Sequence, residues 1–153
     1  LKIFYKRPNA FFLLLGKTIK DMEVNLVRFE NIGDGKLLQV SVKGSQDGSW
    51  GLTQTYLSKA DYHGAIEKWL ARHGAKTIFC FVQFKGASLT DMPRLFLATP
   101  AEVAQRLRET AGGRGDTILY ERQVWSARLK RPVDEISTWR FTPERLDEIL
   151  AAV

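Results

Sequence analysis

Residues Thr77 to Phe84, with the sequence TIFCFVQF, constrain the fold more than any other segment of the chain. The segment is almost continuously apolar, and its length suits a strand better than a helix. Side chains of a strand alternate between the two faces of a sheet, so both faces must be covered here. The segment therefore predicts a central strand in a sheet that has helices packed around it.

Three segments have the pattern of amphipathic helices with capping residues at their start. The first covers Ser58 to His73, where Ser58 and Asp61 resemble a capping box. The others are expected to begin at Thr99 and Thr142, each of which is followed by Pro. Further strands are expected at Trp50–Tyr56, Arg94–Ala98 and Thr117–Glu121. This order predicts an α/β or α+β fold, with a central mixed β-sheet flanked by helices in one domain over residues 1–153.

The composition excludes several classes of protein. The chain has 153 residues, of which 44% are hydrophobic, so it can build a core and is not globally disordered. The longest apolar run, Ala10 to Leu15, is too short to span a bilayer and lacks a signal-peptide cleavage pattern. The single Cys80 excludes an internal disulfide and a cysteine-based zinc cluster. We therefore expect a soluble cytoplasmic protein without a membrane partner.

The formal net charge of +6 and a pI near 9.6 favour a polyanionic partner such as nucleic acid. The charge does not separate a nuclease from a passive binder, because phosphate contacts supply affinity in both cases. The sequence leaves both a monomer and a homodimer open.

Residues 21–45 have the pattern of two strands joined by a tight loop. Residues 21–26 and 38–43 alternate polar and apolar side chains, which is typical of strands with one buried face. Residues 31–35, NIGDG, suit a hairpin turn between them. One register that keeps both apolar sets on the same face places Asp21 opposite Lys43.

The outward faces of this hairpin bring polar side chains together, namely Asp21, Glu23 and Asn25 on one strand and Gln39, Ser41 and Lys43 on the other. One interpretation is a solvated sheet face with an ordinary cross-strand ion pair. The other is a divalent-metal site, because hard cations bind carboxylate, carbonyl and water oxygens. A neighbouring lysine could then orient the attacking water or offset charge on a phosphate.

An Asp that opens one strand, a hairpin, and then (E/Q/S)-x-Lys on the next strand resembles the PD-(D/E)XK nuclease superfamily. The run Val40 to Ser45, VSVKGS, is similar to the "QVKGS" strand of small members of that superfamily. The resemblance covers residues 15–110, roughly, and implies a restriction-endonuclease-like sheet. It also implies Mg²⁺- or Mn²⁺-dependent hydrolysis of DNA phosphodiesters.

By position, the resemblance makes Asp21 a metal ligand and Lys43 the catalytic lysine. The backbone carbonyl of Val42 would also bind the metal, and Glu23 could supplement Asp21. Ser41 stands where the superfamily prefers Glu or Gln, a departure that removes one carboxylate from the implied site.

Two further residues, Gln39 and Ser41, are candidates for orienting the implied metal ligands. Many members of the superfamily also carry a Glu on the helix before the Asp strand. Residues 1–20 contain no acid, so this ligand has no counterpart there.

Seven side chains are candidates for nucleic-acid contacts: Lys17, Lys20, Ser45, Gln46, Arg128, Lys130 and Arg131. Ordinary loop and turn chemistry also accounts for the residues around the hairpin. The basic residues near Trp125 suit single-stranded or distorted nucleic acid, or else a packed Trp on a solvated basic loop.

Three hypotheses of function follow from the sequence. The first is a Mg²⁺- or Mn²⁺-dependent endonuclease acting on DNA. The second is a catalytically inactive module on the same fold that only binds nucleic acid. The third is an interaction or scaffold domain of a phage or defence-type system.

Overall fold

The computed structural model describes residues 27–30, 37–84, 86 and 93–153. Within these residues the strands are β1 (Val27–Glu30), β2 (Leu37–Ser45), β3 (Ser49–Gly51), β4 (Thr77–Gln83), β5 (Arg94–Ala98), β6 (Ile118–Tyr120), β7 (Arg122–Gln123) and β8 (Asp134–Glu135). The α-helices are α1 (Tyr62–Leu70), α2 (Pro100–Glu109) and α3 (Pro143–Ala152). Single 3₁₀ turns cover Gln54–Tyr56, Ala127–Leu129 and Ser137–Trp139.

The main sheet is mixed and has the strand order β1-β2-β4-β5. Strands β2 and β4 are parallel, whereas β1 and β5 run antiparallel to their neighbours. Two further small antiparallel pairs are formed by β3 with β6 and by β7 with β8. The prediction of a central mixed sheet flanked by helices is confirmed.

Two hydrophobic clusters cover the two faces of this sheet. Phe79 and Phe81 of β4 belong to one cluster, together with Ile66 and Trp69 of α1 and Leu107 of α2. The intervening β4 residues belong to the second cluster, in which Ile149 of α3 takes part. Because each face packs against helix side chains, every residue of β4 is buried, as its apolar sequence predicts.

The helix starts at Thr99 and Thr142 are confirmed. The Thr99 hydroxyl accepts a hydrogen bond from the backbone N–H of Glu102, and the Glu102 carboxylate accepts one from the backbone N–H of Thr99. Thr142 caps α3 by accepting from the backbone N–H of Arg145 at 3.1 Å. These bonds satisfy N–H groups that have no partner inside a helix.

The predicted start of the first helix at Ser58 is wrong. Lys59 and Ala60 have φ values of 50° and 60°, a left-handed conformation that no α-helix contains. The helix therefore begins after them, with Asp61 as its cap, and the Asp61 carboxylate accepts from the backbone N–H of Gly64 at 2.9 Å.

The predicted strand over Trp50–Tyr56 is also wrong in its second half. Only Ser49–Gly51 pairs with β6, and the chain then turns into a 3₁₀ segment. The turn occurs because the backbone N–H groups of Leu52 and Thr53 both donate to the carbonyl oxygen of Thr117, at 3.0 and 3.3 Å.

The hairpin between β1 and β2 has a register that differs from the predicted one. Val40 pairs with Val27, whereas the register that places Asp21 opposite Lys43 requires Val24 opposite Val40. That register is therefore wrong at Val40. The predicted strand at residues 21–26 and the turn at residues 31–35 lie outside the described residues.

No helix in the part of the chain that the structure describes is long and apolar enough to cross a membrane.

Candidate active site

Strand β2 presents its polar side chains on one face of the sheet, as the alternation predicts. Val40 and Val42 belong to the cluster on the α3 side. Ser41 and Lys43 lie beside Phe79 and Phe81 of β4, which face α1 and α2. Exposure varies along this polar face: Gln39 is exposed, Ser41 is buried and Lys43 is half-buried.

Lys43 lies close to a rigid part of the core. The indole N–H of Trp50 donates a hydrogen bond to the backbone carbonyl of Lys43 at 3.0 Å. Trp50 is only 4% exposed, and its ring lies 5.2 Å from Phe81 and 6.4 Å from Phe96. Because these rings are held on several sides, they fix the backbone from which the Lys43 side chain extends.

His73 is a residue of this region that the sequence analysis missed as a site candidate. Its ring packs at 4.5 Å from Trp69 and 5.0 Å from Phe79. Burial lowers the pKa of His73, and the positive charge of Lys43 lowers this pKa further. The lowered pKa favours the neutral imidazole. Only the position of His73 just after a helix that packs on β4 could have indicated its place beside these rings.

The residues that the resemblance implies as metal ligands are described only in part. Asp21 and Glu23 lie outside the described residues, whereas Val42 lies in β2 opposite Cys80 of β4. Within the described ranges, no group of three or more His, Cys, Asp or Glu side chains could hold a metal ion. The metal site that the resemblance implies would use the carboxylates of Asp21 and Glu23.

Ser45 has a structural role that competes with the predicted phosphate contact. Its hydroxyl donates to the Asp47 carboxylate at 3.0 Å and accepts from the backbone N–H groups of Gly48 and Ser49 at 3.1 Å. The alternative of turn chemistry thus accounts for Ser45, which is only 8% exposed. Gln46, next to it, is exposed.

The turn after β2 makes further contacts that were not predicted from sequence. Glu121 donates its backbone N–H to the carbonyl of Gly48 at 2.8 Å. The Glu121 carboxylate accepts two bonds from the Arg94 guanidinium, at 2.6 and 2.9 Å. Gly48 has φ +92°, and a Cβ there would lie 3.1 Å from the side-chain amide of Gln83, so glycine suits this position for two reasons.

The basic candidates near Trp125 all lie in the loop between β7 and β8, namely Arg128, Lys130 and Arg131. The structure therefore brings them together in one loop. Lys17 and Lys20, the other two basic candidates, lie outside the described residues.

A comparison of the chain with protein-family models, curated proteins and solved structures finds no match. The resemblance of residues 21–45 to PD-(D/E)XK nucleases is therefore an interpretation of those residues and of the sheet around β2.

Proposed function

We propose that the protein is a restriction-endonuclease-like enzyme that hydrolyses DNA phosphodiesters with Mg²⁺ or Mn²⁺ at the polar face of β2. The observation that carries the proposal is the position of Lys43 in a parallel strand of a mixed sheet. Its backbone is fixed by the Trp50 hydrogen bond, and its side chain is half-buried. The bond fixes the point from which the Lys43 ammonium group can reach a bound phosphate.

The proposed roles divide between charge stabilisation and metal binding. Lys43 offsets negative charge that develops on the phosphate oxygens, or positions the attacking water. Asp21, Glu23 and the carbonyl of Val42 would hold the ion. A bound divalent ion supplies a water of lowered pKa and a Lewis acid for the phosphate.

Ser41 and Gln39 flank Lys43 and Val42 along β2 and would orient the groups of the site. Ser41 is 7% exposed and lies opposite Phe79, so it offers a hydroxyl in a largely apolar setting. A buried hydroxyl of this kind must itself find a hydrogen-bond partner. The carboxylate or carboxamide of a Glu or Gln would reach further and bind a cation more strongly.

The second candidate function is nucleic-acid binding without hydrolysis. It is favoured by the identity of residue 41, because Ser in place of an acid leaves one carboxylate fewer for a metal ion. A third possibility, a protein-interaction domain, requires neither the metal nor the nucleic acid.

Plasmid nicking in the presence of Mg²⁺ or Mn²⁺ tests the proposal. Wild-type protein should nick supercoiled plasmid, and Lys43→Ala should reduce the rate by at least about 10²-fold at unchanged thermal stability. Lys68→Ala removes one positive charge from an exposed position on α1 and should nick at the wild-type rate.

Calorimetric titration with Mn²⁺ separates metal binding from hydrolysis. Asp21→Asn should weaken Mn²⁺ binding, whereas Lys43→Ala should retain it. Salt-dependent DNA binding without nicking would support the binding module, and the absence of both activities would favour the interaction domain.

A further inference from the structure

Residues 122–135, which we call the basic hairpin, comprise β7, β8 and the loop that connects them. Arg122 of β7 pairs with Glu135 of β8, and Gln123 pairs with Asp134. The connecting loop, residues 124–133, has the sequence VWSARLKRPV and contains no acid. Its positive charge is therefore not balanced within the loop itself.

Trp125 is held in the loop by a buried carboxylate. The indole N–H donates to one carboxylate oxygen of Asp134 at 2.6 Å, and the backbone N–H of Ala111 donates to the same oxygen at 3.1 Å. The other oxygen accepts from Arg106 of α2 at 2.8 Å. Asp134 therefore orients the Trp125 ring. Because Asp134 is only 3% exposed and its charge is paired with Arg106, it does not neutralise the cations of the loop.

The guanidinium of Arg131 lies over the Trp125 ring, with its central carbon 5.3 Å from the ring centroid. The indole is half-buried and fixed by Asp134, so the guanidinium rests on an oriented aromatic surface. Together the two groups form a cationic and aromatic platform. Unstacked nucleobases bind in this way, on aromatic rings and on Arg guanidinium planes.

Two further cations of the loop are available to a ligand. Arg128 and Lys130 are exposed, and neither has an ion-pair partner among the described residues. Lys130 has φ 43° and ends the 3₁₀ turn Ala127–Leu129 in a left-handed conformation. Val124 and Leu129 of the same loop are 58% and 49% exposed, which adds apolar surface beside the charges.

The basic hairpin begins next to the candidate site. β7 follows Glu121 directly, and the backbone N–H of Glu121 bonds to Gly48 in the turn after β2. β2 ends at Ser45, and the turn begins at the next residue. The hairpin therefore starts beside the turn that follows β2.

We propose that residues 124–133 bind single-stranded nucleic acid, with phosphates on Arg128 and Lys130 and a base on the Arg131–Trp125 platform. The inference rests on the proposed function for its class of partner, although not for any chemical step. A single strand fits better than a duplex because bases that are paired and stacked cannot reach such a platform. An acidic protein segment would satisfy the cations but would leave the platform unused.

Fluorescence anisotropy with a labelled oligothymidylate in EDTA tests this inference apart from hydrolysis. The double variant Arg128→Ala/Lys130→Ala should bind at least about tenfold more weakly than wild type at 0.1 M salt. Its slope of log affinity against log salt should be shallower by about 1.4, since each phosphate contact on a single strand contributes about 0.7. The matched double variant Lys68→Ala/Lys76→Ala, with both changes at exposed positions outside the hairpin, should bind within about twofold of wild type.

Trp125→Leu and Arg131→Gln test the platform, and thermal melting reports whether each variant remains folded. Arg131→Gln leaves the Trp125–Asp134 bond in place and should weaken oligothymidylate binding about fivefold or more. A duplex of the same length should compete poorly with the single strand.

Equal losses in the two double variants, or equal competition by the duplex, would overturn the inference. Competition by poly-glutamate as strong as that by oligothymidylate would also overturn it, in favour of an acidic protein partner. Tight single-strand binding together with an absence of nicking would leave this inference standing and remove only the proposed hydrolase.

Discussion

The indole N–H of Trp50 donates a 3.0 Å hydrogen bond to the backbone carbonyl of Lys43. The bond connects the aromatic cluster between the sheet and helices α1 and α2 to the one lysine on which the proposed chemistry depends. Trp50 also lies in the middle of β3, opposite Leu119 of β6, so it ties β2, β3 and β6 together. The position of Lys43 is thus a property of the core as well as of its own strand.

Trp50→Phe should lower the free energy of unfolding and reduce nicking. The ring contacts with Phe81 and Phe96 are largely retained, but the Lys43 carbonyl loses its donor, at a cost of about 1 kcal/mol beyond the loss of ring volume. Urea denaturation measures this cost. Trp69→Phe is the matched control, because Trp69 is equally buried and its indole makes no hydrogen bond among the described residues. Equal losses in the two variants would contradict the assigned role of the bond.

Asp134→Ala should destabilise the protein by about 3 kcal/mol or more. The change leaves Arg106, the Trp125 indole and the Ala111 N–H without their acceptor in a site that is 3% exposed. Chemical denaturation provides the measurement. Glu135→Ala, the neighbouring change at an exposed ion pair of 3.8 Å with Arg122, should cost less than about 0.5 kcal/mol. A small effect at Asp134 would mean that its contacts are not maintained in solution.

The Cys80 thiol should not react with a disulfide reagent while the protein is folded. Burial raises the pKa of Cys80 to about 12, so almost no thiolate forms at pH 8, and the sulfur is also inaccessible. Absorbance after addition of the reagent should stay flat in buffer and rise by one equivalent in concentrated guanidinium. Rapid reaction in buffer would show that β4 opens readily.

His73 should make stability depend on pH in the weakly acidic range. Burial and then Lys43 lower the pKa of His73 below its ordinary value of 6.5, so the unfolded state binds the proton more readily. The contribution of His73 should therefore lower the free energy of unfolding as the pH falls from 6.5 to the pKa of His73 in the folded state. Below that pKa, His73 should cause no further change. Above pH 6.5 it should make no difference.

An NMR titration of the His73 ring protons measures this pKa directly. The midpoint should lie below 6.5 and should move upward in Lys43→Met, which removes the positive charge. A midpoint at or above 6.5 in the wild type would contradict the burial of the ring. His73→Gln should remove the corresponding part of the pH dependence of unfolding.

Local sequence patterns were sufficient for much of the fold. The apolar run in β4 requires cover on both faces, and the structure provides it with helix side chains on each side. The sequence predicts the caps Thr99 and Thr142 because a capping bond joins residues only three positions apart. The alternation in β2 likewise predicted that Ser41 and Lys43 share a face, since successive strand residues point in opposite directions.

Two of the predictions failed where pairing with another segment decided the conformation. Trp50–Tyr56 has a strand-like pattern, but hydrogen bonds to Thr117 turn the chain after Gly51. The pairing of Val40 with Val27 is one of several registers compatible with alternating residues. The basic candidates were recognised from composition, whereas the buried Asp134 that orients Trp125 was not.

The sequence by itself therefore determined the buried strand β4, the helix caps at Thr99 and Thr142, and the polar face of β2, because these depend on the periodicity of side chains and on bonds between near neighbours. Only the tertiary structure decided that Trp50 holds Lys43, that His73 lies near that lysine, and that Arg106 and Trp125 share Asp134. Arg106 and Asp134 are 28 residues apart. Hydrogen bonds between residues so far apart in the sequence depend on how whole elements pack, and no local pattern specifies that packing.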